Sequence, residues 1–147
     1  MRSARTSVVL MTGVLVTLAG CGDDDNTMTA AAYRDAGNGV CRDADAAISA
    51  AIPNDTPTVE VARTELAPKL IDALSAIRDE MDDLSPPDSL QRDHTQFVAA
   101  FDSATAVLDE AIDDAAAMEQ LLAEGPPLDE IGELAAKLGL TACTGDS

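Results

Sequence analysis

The chain has 147 residues, of which 9 are basic and 27 acidic, and its formal net charge at pH 7 is −18. This balance argues against a nucleic-acid-binding protein, because such proteins neutralise phosphates with Lys and Arg. Aromatic residues make up 2% of the chain, while Ala and Leu are abundant, which favours helices over strands.

The first twenty residues have the pattern of an export signal. Arg2 and Arg5 form a short cationic start, and residues 8–18 form an apolar stretch that is too short to span a membrane. This stretch ends at Leu18-Ala19-Gly20-Cys21, which is followed by three aspartates, residues 23–25. The tetrapeptide resembles the lipobox of bacterial lipoprotein precursors.

That resemblance implies a lipid anchor on Cys21. In the family, a diacylglycerol is attached to the cysteine thiol, and the signal peptidase cuts just before it, here between Gly20 and Cys21. Residues 1–20 are then a removed signal peptide, residues 21–27 an acylated acidic tether, and residues 28–147 the folded domain. The protein is expected at the cell membrane, on its extracytoplasmic face, with membrane lipid as its partner through Cys21. The alternative is an ordinary secretory signal cut near Ala19, which would leave Cys21 as a spare thiol.

The mature chain carries two amphipathic helices in its first half. Residues 28–52 place apolar side chains at spacings of three and four, which predicts the first helix. We expect the second helix to begin at Pro57 with Thr56 as its cap, and to continue to Leu84. Pro68 should either kink this helix or mark its real start, with Thr64 as the cap.

Two further helices are predicted after Pro86-Pro87. Ser85 can cap a long third helix, whose apolar positions run from Leu90 to Leu122. Residues 128–138 form a short fourth helix, and Gly139 supplies a Schellman cap. Because short turns join the four, the sequence predicts an all-α fold, an antiparallel up-down-up-down four-helix bundle.

Cys41 and Cys143 are the cysteines that remain once Cys21 is acylated. An even number in an oxidising compartment predicts one disulfide, and the bundle places the two at similar heights on neighbouring elements. A redox-active pair is the alternative, but there is no C-x-x-C motif, and only Arg42 is nearby to lower a thiol pKa.

The residues that bear chemistry do not form a recognisable catalytic or metal motif. His94, the single histidine, lies on the apolar stripe of the third helix, where we expect it to pair with Asp93 or with a carboxylate of the second helix. It lacks the companions of a zinc or di-iron site, and no nucleophile motif is present. We therefore expect no enzymatic activity, no metal and no cofactor.

Acidic residues cluster towards the end of the third helix. They form two adjacent i, i+4 pairs, and like charges at that spacing repel each other weakly. A solvated face is the expected role, a basic envelope protein is a possible partner, and weak Ca²⁺ or Mg²⁺ binding is a further alternative. The four residues of this acidic patch are Asp109, Glu110, Asp113 and Asp114.

The mature region contains Leu84-Ser85-Pro86-Pro87, Cys41 and the ending Leu138-Gly139-Leu140-Thr141-Ala142-Cys143. In these features it is similar to the small Ala- and Asp-rich helical lipoproteins of actinobacteria. We expect a membrane-anchored, non-enzymatic protein-interaction module. The alternative is a tethered bundle that binds a small molecule or a cation between the third and first helices.

Overall fold

The computed structural model describes residues 27–52 and 57–144, and within them it is all-helical. The predicted all-α class is confirmed. In these two ranges a π-helical turn (Ala62–Leu66) and a 3₁₀ turn (Thr141–Cys143) accompany six α-helices: α1 (Ala30–Ala51), α2 (Val59–Val61), α3 (Ala67–Asp82), α4 (Asp88–Asp113), α5 (Ala115–Glu124) and α6 (Asp129–Leu138). Among the described residues, no helix combines the length and apolar character that a membrane span requires.

The second predicted helix begins later than expected. Thr58 is its cap, since the Thr58 hydroxyl accepts a hydrogen bond from the Val61 N–H, so Pro57 precedes the helix instead of opening it. Thr56 lies outside the described residues. Thr64 is not a cap either, because its hydroxyl donates to the carbonyl of Glu60 at 2.8 Å within continuous helix.

Pro68 is accommodated by a π-helical turn. It is the second residue of α3, and because it has no N–H, a regular helix would leave the carbonyl of Thr64 without its donor. The chain widens just before it, and the Ala67 N–H bonds back to the carbonyl of Ala62, five residues earlier. The predicted irregularity is therefore a local widening of the helix.

The third predicted helix is interrupted at Asp114. This residue has an extended backbone (φ −117°, ψ 107°), and its Oδ1 accepts hydrogen bonds from the N–H groups of Ala116 and Ala117 at 2.8 and 3.2 Å. Asp114 therefore ends α4 and caps α5. The continuous helix over 90–122 was wrong because an aspartate side chain can replace helical hydrogen bonds with its own.

Ser85 does not cap α4, whose first turn has no side-chain cap. The Ser85 carbonyl instead accepts a hydrogen bond from the Met28 N–H at 2.8 Å, which joins the start of the described chain to the loop before α4.

The predicted cap of α6 is present. Gly139 is left-handed (φ 77°), and the Leu140 and Gly139 N–H groups bond to the carbonyls of Ala135 and Ala136, a Schellman motif.

The helices pack around one main apolar core. Helix α3 contacts α1 and α4, α4 contacts α6, and the 3₁₀ turn contacts α1 and α6. Tyr33, Met81, Phe97, Leu138 and Leu140 are the largest fully buried side chains of this core. Helix α5 packs at the side, where Met118 meets Ala62, Ala67 and Ala111 in a smaller apolar cluster.

Candidate functional site

The predicted lipidation and cleavage residues, Cys21 and Gly20, lie outside the described residues, as do the signal peptide and most of the tether. The lipid anchor therefore stays a prediction. Cys41 and Cys143, which the sequence predicts to pair, are joined by a disulfide with their Cα atoms 5.2 Å apart.

The disulfide belongs to a set of contacts that hold the C-terminal segment on α1. Arg34 Nε donates to the carbonyl of Leu138 at 3.0 Å, and Asn38 Oδ1 accepts from the Ala142 N–H at 2.8 Å. Gly37 lies against Leu140 so closely that a Cβ there would be 2.7 Å from a Leu140 methyl. The disulfide thus adds a covalent bond between α1 and a C-terminal segment that already fits closely against it.

His94 is buried and pairs with a tyrosine. Its Nδ1 lies 2.9 Å from the Tyr33 hydroxyl, and the two rings meet edge to face with centroids 5.6 Å apart. Because this is the hydroxyl's single hydrogen-bond partner in the described part of the chain, we assign the Tyr33 proton as donated to Nδ1. The neutral imidazole then carries its own proton on Nε2.

The prediction that His94 bonds a carboxylate was wrong. Asp93 instead pairs with Arg92 at 2.8 Å. Burial lowers the pKa of His94 below its ordinary value, and the charge of Asp82 on α3 partly opposes this effect. Burial also raises the pKa of Tyr33 to about 12. Both rings are therefore neutral at pH 7, as a buried hydrogen-bonded pair requires.

An arginine network lies beside this pair. Arg78 on α3 hydrogen-bonds Asp79 at 3.0 Å and forms ion pairs with Asp102 at 3.3 Å and Asp82 at 3.9 Å. The hydrogen bond with Asp79 and then the charge of Asp102 raise the pKa of Arg78. Arg78, Asp82, His94 and Asp102 line a polar cleft of about 480 Å³. The described charged residues of this lining are one cation, Arg78, and two carboxylates, Asp82 and Asp102.

The acidic patch is exposed, but it is not one helical surface. Asp109, Glu110 and Asp113 lie on α4, so the Asp109–Asp113 pair has the predicted spacing on one helix. The Glu110–Asp114 pair does not, because Asp114 has left the helix and its carboxylate caps α5. Within 27–52 and 57–144, no group of three or more His, Cys, Asp or Glu side chains has a metal-binding arrangement.

A cleft of about 760 Å³ lies between α1 and α6 next to the disulfide. Phe101 and Ile77 contribute to its lining from α4 and α3, so it differs from the space between the third and first helices that the sequence suggested. Its remaining lining comes from the second half of α1, from α6 and from the 3₁₀ turn.

Comparison of the chain with models of known families, with curated protein sequences and with solved structures found no match.

Three features of these sites escaped the sequence analysis: the Tyr33–His94 bond, the Arg78 network and the cleft beside the disulfide. One signal for the first was present, since Tyr33 and His94 both lie on the inward stripe near the start of their helices. For the Arg78 network there was no such signal, because the position of Arg78 directly after Ile77 of the apolar stripe does not indicate which carboxylates it contacts.

Proposed function

We propose that this chain is a membrane-anchored lipoprotein of the cell envelope, with a non-enzymatic helical domain that binds other envelope proteins. The observation that carries the proposal is the Cys41–Cys143 disulfide. Disulfides persist in oxidising compartments, which supports export. The bond also uses two of the three cysteines, so Cys21 of the lipobox remains for acylation. Two or three acyl chains there would hold the protein firmly.

Metabolic labelling with an alkyne fatty acid tests the anchor. The full chain should become labelled and fractionate with membranes, while Cys21→Ser should lose both properties. The mass of the mature N-terminus separates the alternatives, since cleavage before Cys21 with an added diacylglycerol supports the lipobox. A free Cys21 thiol in a chain cut near Ala19 would identify an ordinary secretory signal.

The charge distribution supports a basic protein as the partner. Cleavage before Cys21 leaves 7 basic and 27 acidic residues, a net charge of −20. No Lys or Arg occurs between Arg92 and Lys137, the segment that holds the acidic patch. In addition, Arg34 and Arg63 donate to the main-chain carbonyls of Leu138 and Ile112, and within the described residues neither forms an ion pair with a carboxylate. A surface of this kind attracts a cationic partner.

Mild cross-linking in living cells, followed by capture and mass spectrometry, tests this interaction. A stoichiometric partner above the level of a lipobox-only fusion supports the module. Charge reversal at Asp109 and Asp113 should then weaken its capture, whereas reversal at the exposed Asp35 and Asp43 of α1, which changes the net charge equally, is the matched control. Asp114 is left unchanged because it caps α5.

The second candidate function is the binding of a small molecule or a cation. Its support is the cleft of about 760 Å³ beside the disulfide, a volume within the range of ~300–1,000 Å³ typical of ligand sites. A melting temperature that is unchanged by metabolites, lipids and metals would argue against this function.

We also propose that the main helices α1, α3, α4 and α6 alternate in direction, as an up-down-up-down bundle. The start of α1 contacts the loop between α3 and α4 through Met28 and Ser85, and the end of α6 through Arg34 and Leu138. These contacts gather the start of α1, the end of α3, the start of α4 and the end of α6 at one end, which supports the alternation. Distances between spin labels at the helix ends would test it.

A further inference from the structure

The cleft beside the disulfide has an apolar floor. Ile77, Phe101 and Ile131 are at least nine-tenths buried, and each contributes to the lining. Ala44 and Ile48 of α1 add half-buried apolar surface. Such a floor favours the binding of an apolar group, because each methylene that moves out of water and onto it contributes about 0.8 kcal/mol to the binding free energy.

The described charged residues that line the same cleft have one sign. Asp45 on α1 and Asp129 and Glu133 on α6 contribute to the lining, and no Lys or Arg of the described residues does. None of the three carboxylates has a hydrogen-bond or ion-pair partner in the part of the chain that the structure describes. Asp129, in the first turn of α6, has a structural role, since it stabilises the helix dipole. Asp45 and Glu133 have no such role.

We propose that this cleft binds an amphiphilic cation, a molecule with an apolar chain or ring system and a single ammonium-type charge. The apolar body would lie on Ile48, Phe101 and Ile131, with the charge near Asp45 and Glu133. An amphiphilic anion would meet three unpaired carboxylates, and a small inorganic cation would leave the floor unused. The inference rests on the second candidate function, and it requires neither the acyl anchor nor the protein partner.

Titration calorimetry with alkyltrimethylammonium ions, below the concentrations at which they form micelles, tests the proposal. The protein is the full exported chain carrying Cys21→Ser, so that no lipid is present for the probe to enter. We expect one decyltrimethylammonium per chain, bound about fifteenfold more tightly than octyltrimethylammonium, which is two methylenes shorter. Tetramethylammonium and octyl sulfate should not bind measurably.

Two variants locate the site. Asp45→Asn with Glu133→Gln should weaken decyltrimethylammonium by about threefold to tenfold. The control is Asp109→Asn with Asp113→Asn, which removes the same charge outside the cleft lining and should leave affinity unchanged. Gly132→Leu should abolish binding by filling the cleft. Among the described residues, a Cβ at Gly132 would meet only the Thr144 carbonyl, at 3.8 Å, so this variant is expected to fold.

The outcomes separate the inference from the wider proposals. Equal losses in the two charge variants, many probe ions per chain, or equal binding of octyl sulfate would show non-specific adsorption and overturn it. Persistent binding in Gly132→Leu would also overturn it. Because every measurement uses an unacylated chain without a partner, failure here leaves the anchor and the interaction module to their own tests.

Discussion

The Tyr33 hydroxyl lies 2.9 Å from Nδ1 of His94, across 61 residues of sequence, and both side chains are buried. This bond joins the first turn of α1 to α4 through polar atoms that have little access to water. Burying such groups is unfavourable unless each finds a partner. The Tyr33–His94 hydrogen bond therefore requires that α1 and α4 meet in one particular arrangement, within a core that is otherwise apolar.

Removing the tyrosine hydroxyl should destabilise the fold. Tyr33→Phe leaves Nδ1 of His94 buried without a donor, and we expect a loss of ~1–3 kcal/mol in the free energy of unfolding, measured with urea. Tyr33→Phe combined with His94→Leu should lose less than the sum of the two single changes, because no polar atom is then left unpaired. Simple additivity of the two effects would contradict the assigned hydrogen bond.

The stability of the domain should decrease as the pH falls below the ordinary His pKa of 6.5. Burial lowers the pKa of His94 in the folded state, so the unfolded chain takes up the proton first. Well above pH 6.5 the ring is neutral in both states and contributes no pH dependence. His94→Gln should flatten the fall between pH 6.5 and 5.5. Asp82→Asn should make this fall in stability steeper, because in the unsubstituted protein the negative charge of Asp82 favours the protonated form of His94. Melting temperatures over this range provide the measurement.

Loss of the disulfide should have a larger effect. Its cysteines are 102 residues apart, and in the chain-entropy model replacing both by Ala lowers the free energy of unfolding by about 4–5 kcal/mol. Amide exchange should accelerate most in α6 and the 3₁₀ turn, which the bond holds on α1. Cys21→Ser is the matched control and should leave unfolding unchanged; an equal loss there would show that Cys21 takes part in the folded domain.

Two neighbouring glycines of α1 should respond in opposite directions. Gly39→Ala should stabilise the protein by ~0.5–1 kcal/mol, because Ala favours helix and no atom of the described residues lies within 4 Å of the new Cβ. Gly37→Ala has the same helical gain, but its Cβ would lie 2.7 Å from buried Leu140, a clash that costs about 1–3 kcal/mol. Urea unfolding of both variants tests this, and Leu140→Ala should restore tolerance of Gly37→Ala.

Asp114 should matter for stability and not only for charge. Asp114→Ala removes the cap of α5 and should cost about 1 kcal/mol. Asp114→Asn keeps the accepting oxygen and should cost less, although it removes the same charge. Asp113→Ala, one residue earlier on the exposed face, should change the free energy of unfolding little. If Asp113→Ala were as costly as Asp114→Ala, the capping role would be wrong.

Features that depend on a few neighbouring residues were accessible from the sequence. The helical class followed from the apolar spacing, and the Gly139 cap followed from a glycine after the last apolar position of α6. Pairing of Cys41 with Cys143 followed from the cysteine count and from similar heights on neighbouring elements of the predicted bundle. The helix boundaries were harder to predict. An aspartate at position 114 suits a solvated helix face as well as a helix cap, so its residue type alone does not show a break. In the structure its backbone is extended, and α5 packs against the π-helical turn, with Met118 next to Ala62.

The sequence by itself therefore determined which segments are helical, because side-chain periodicity and capping act over a few residues. It also determined which cysteines pair, because only Cys41 and Cys143 remain once Cys21 of the lipobox is set aside. Only the tertiary structure decided that His94 bonds Tyr33 instead of a carboxylate, that Arg78 joins Asp79 and Asp102, and that an acid-lined apolar cleft lies beside the disulfide. The physical reason is that the partner of a buried polar group, and the space between helices, depend on how distant surfaces fit. Residues 61 or 104 positions apart in the chain, such as Tyr33 and His94 or Arg34 and Leu138, become neighbours through that fit alone.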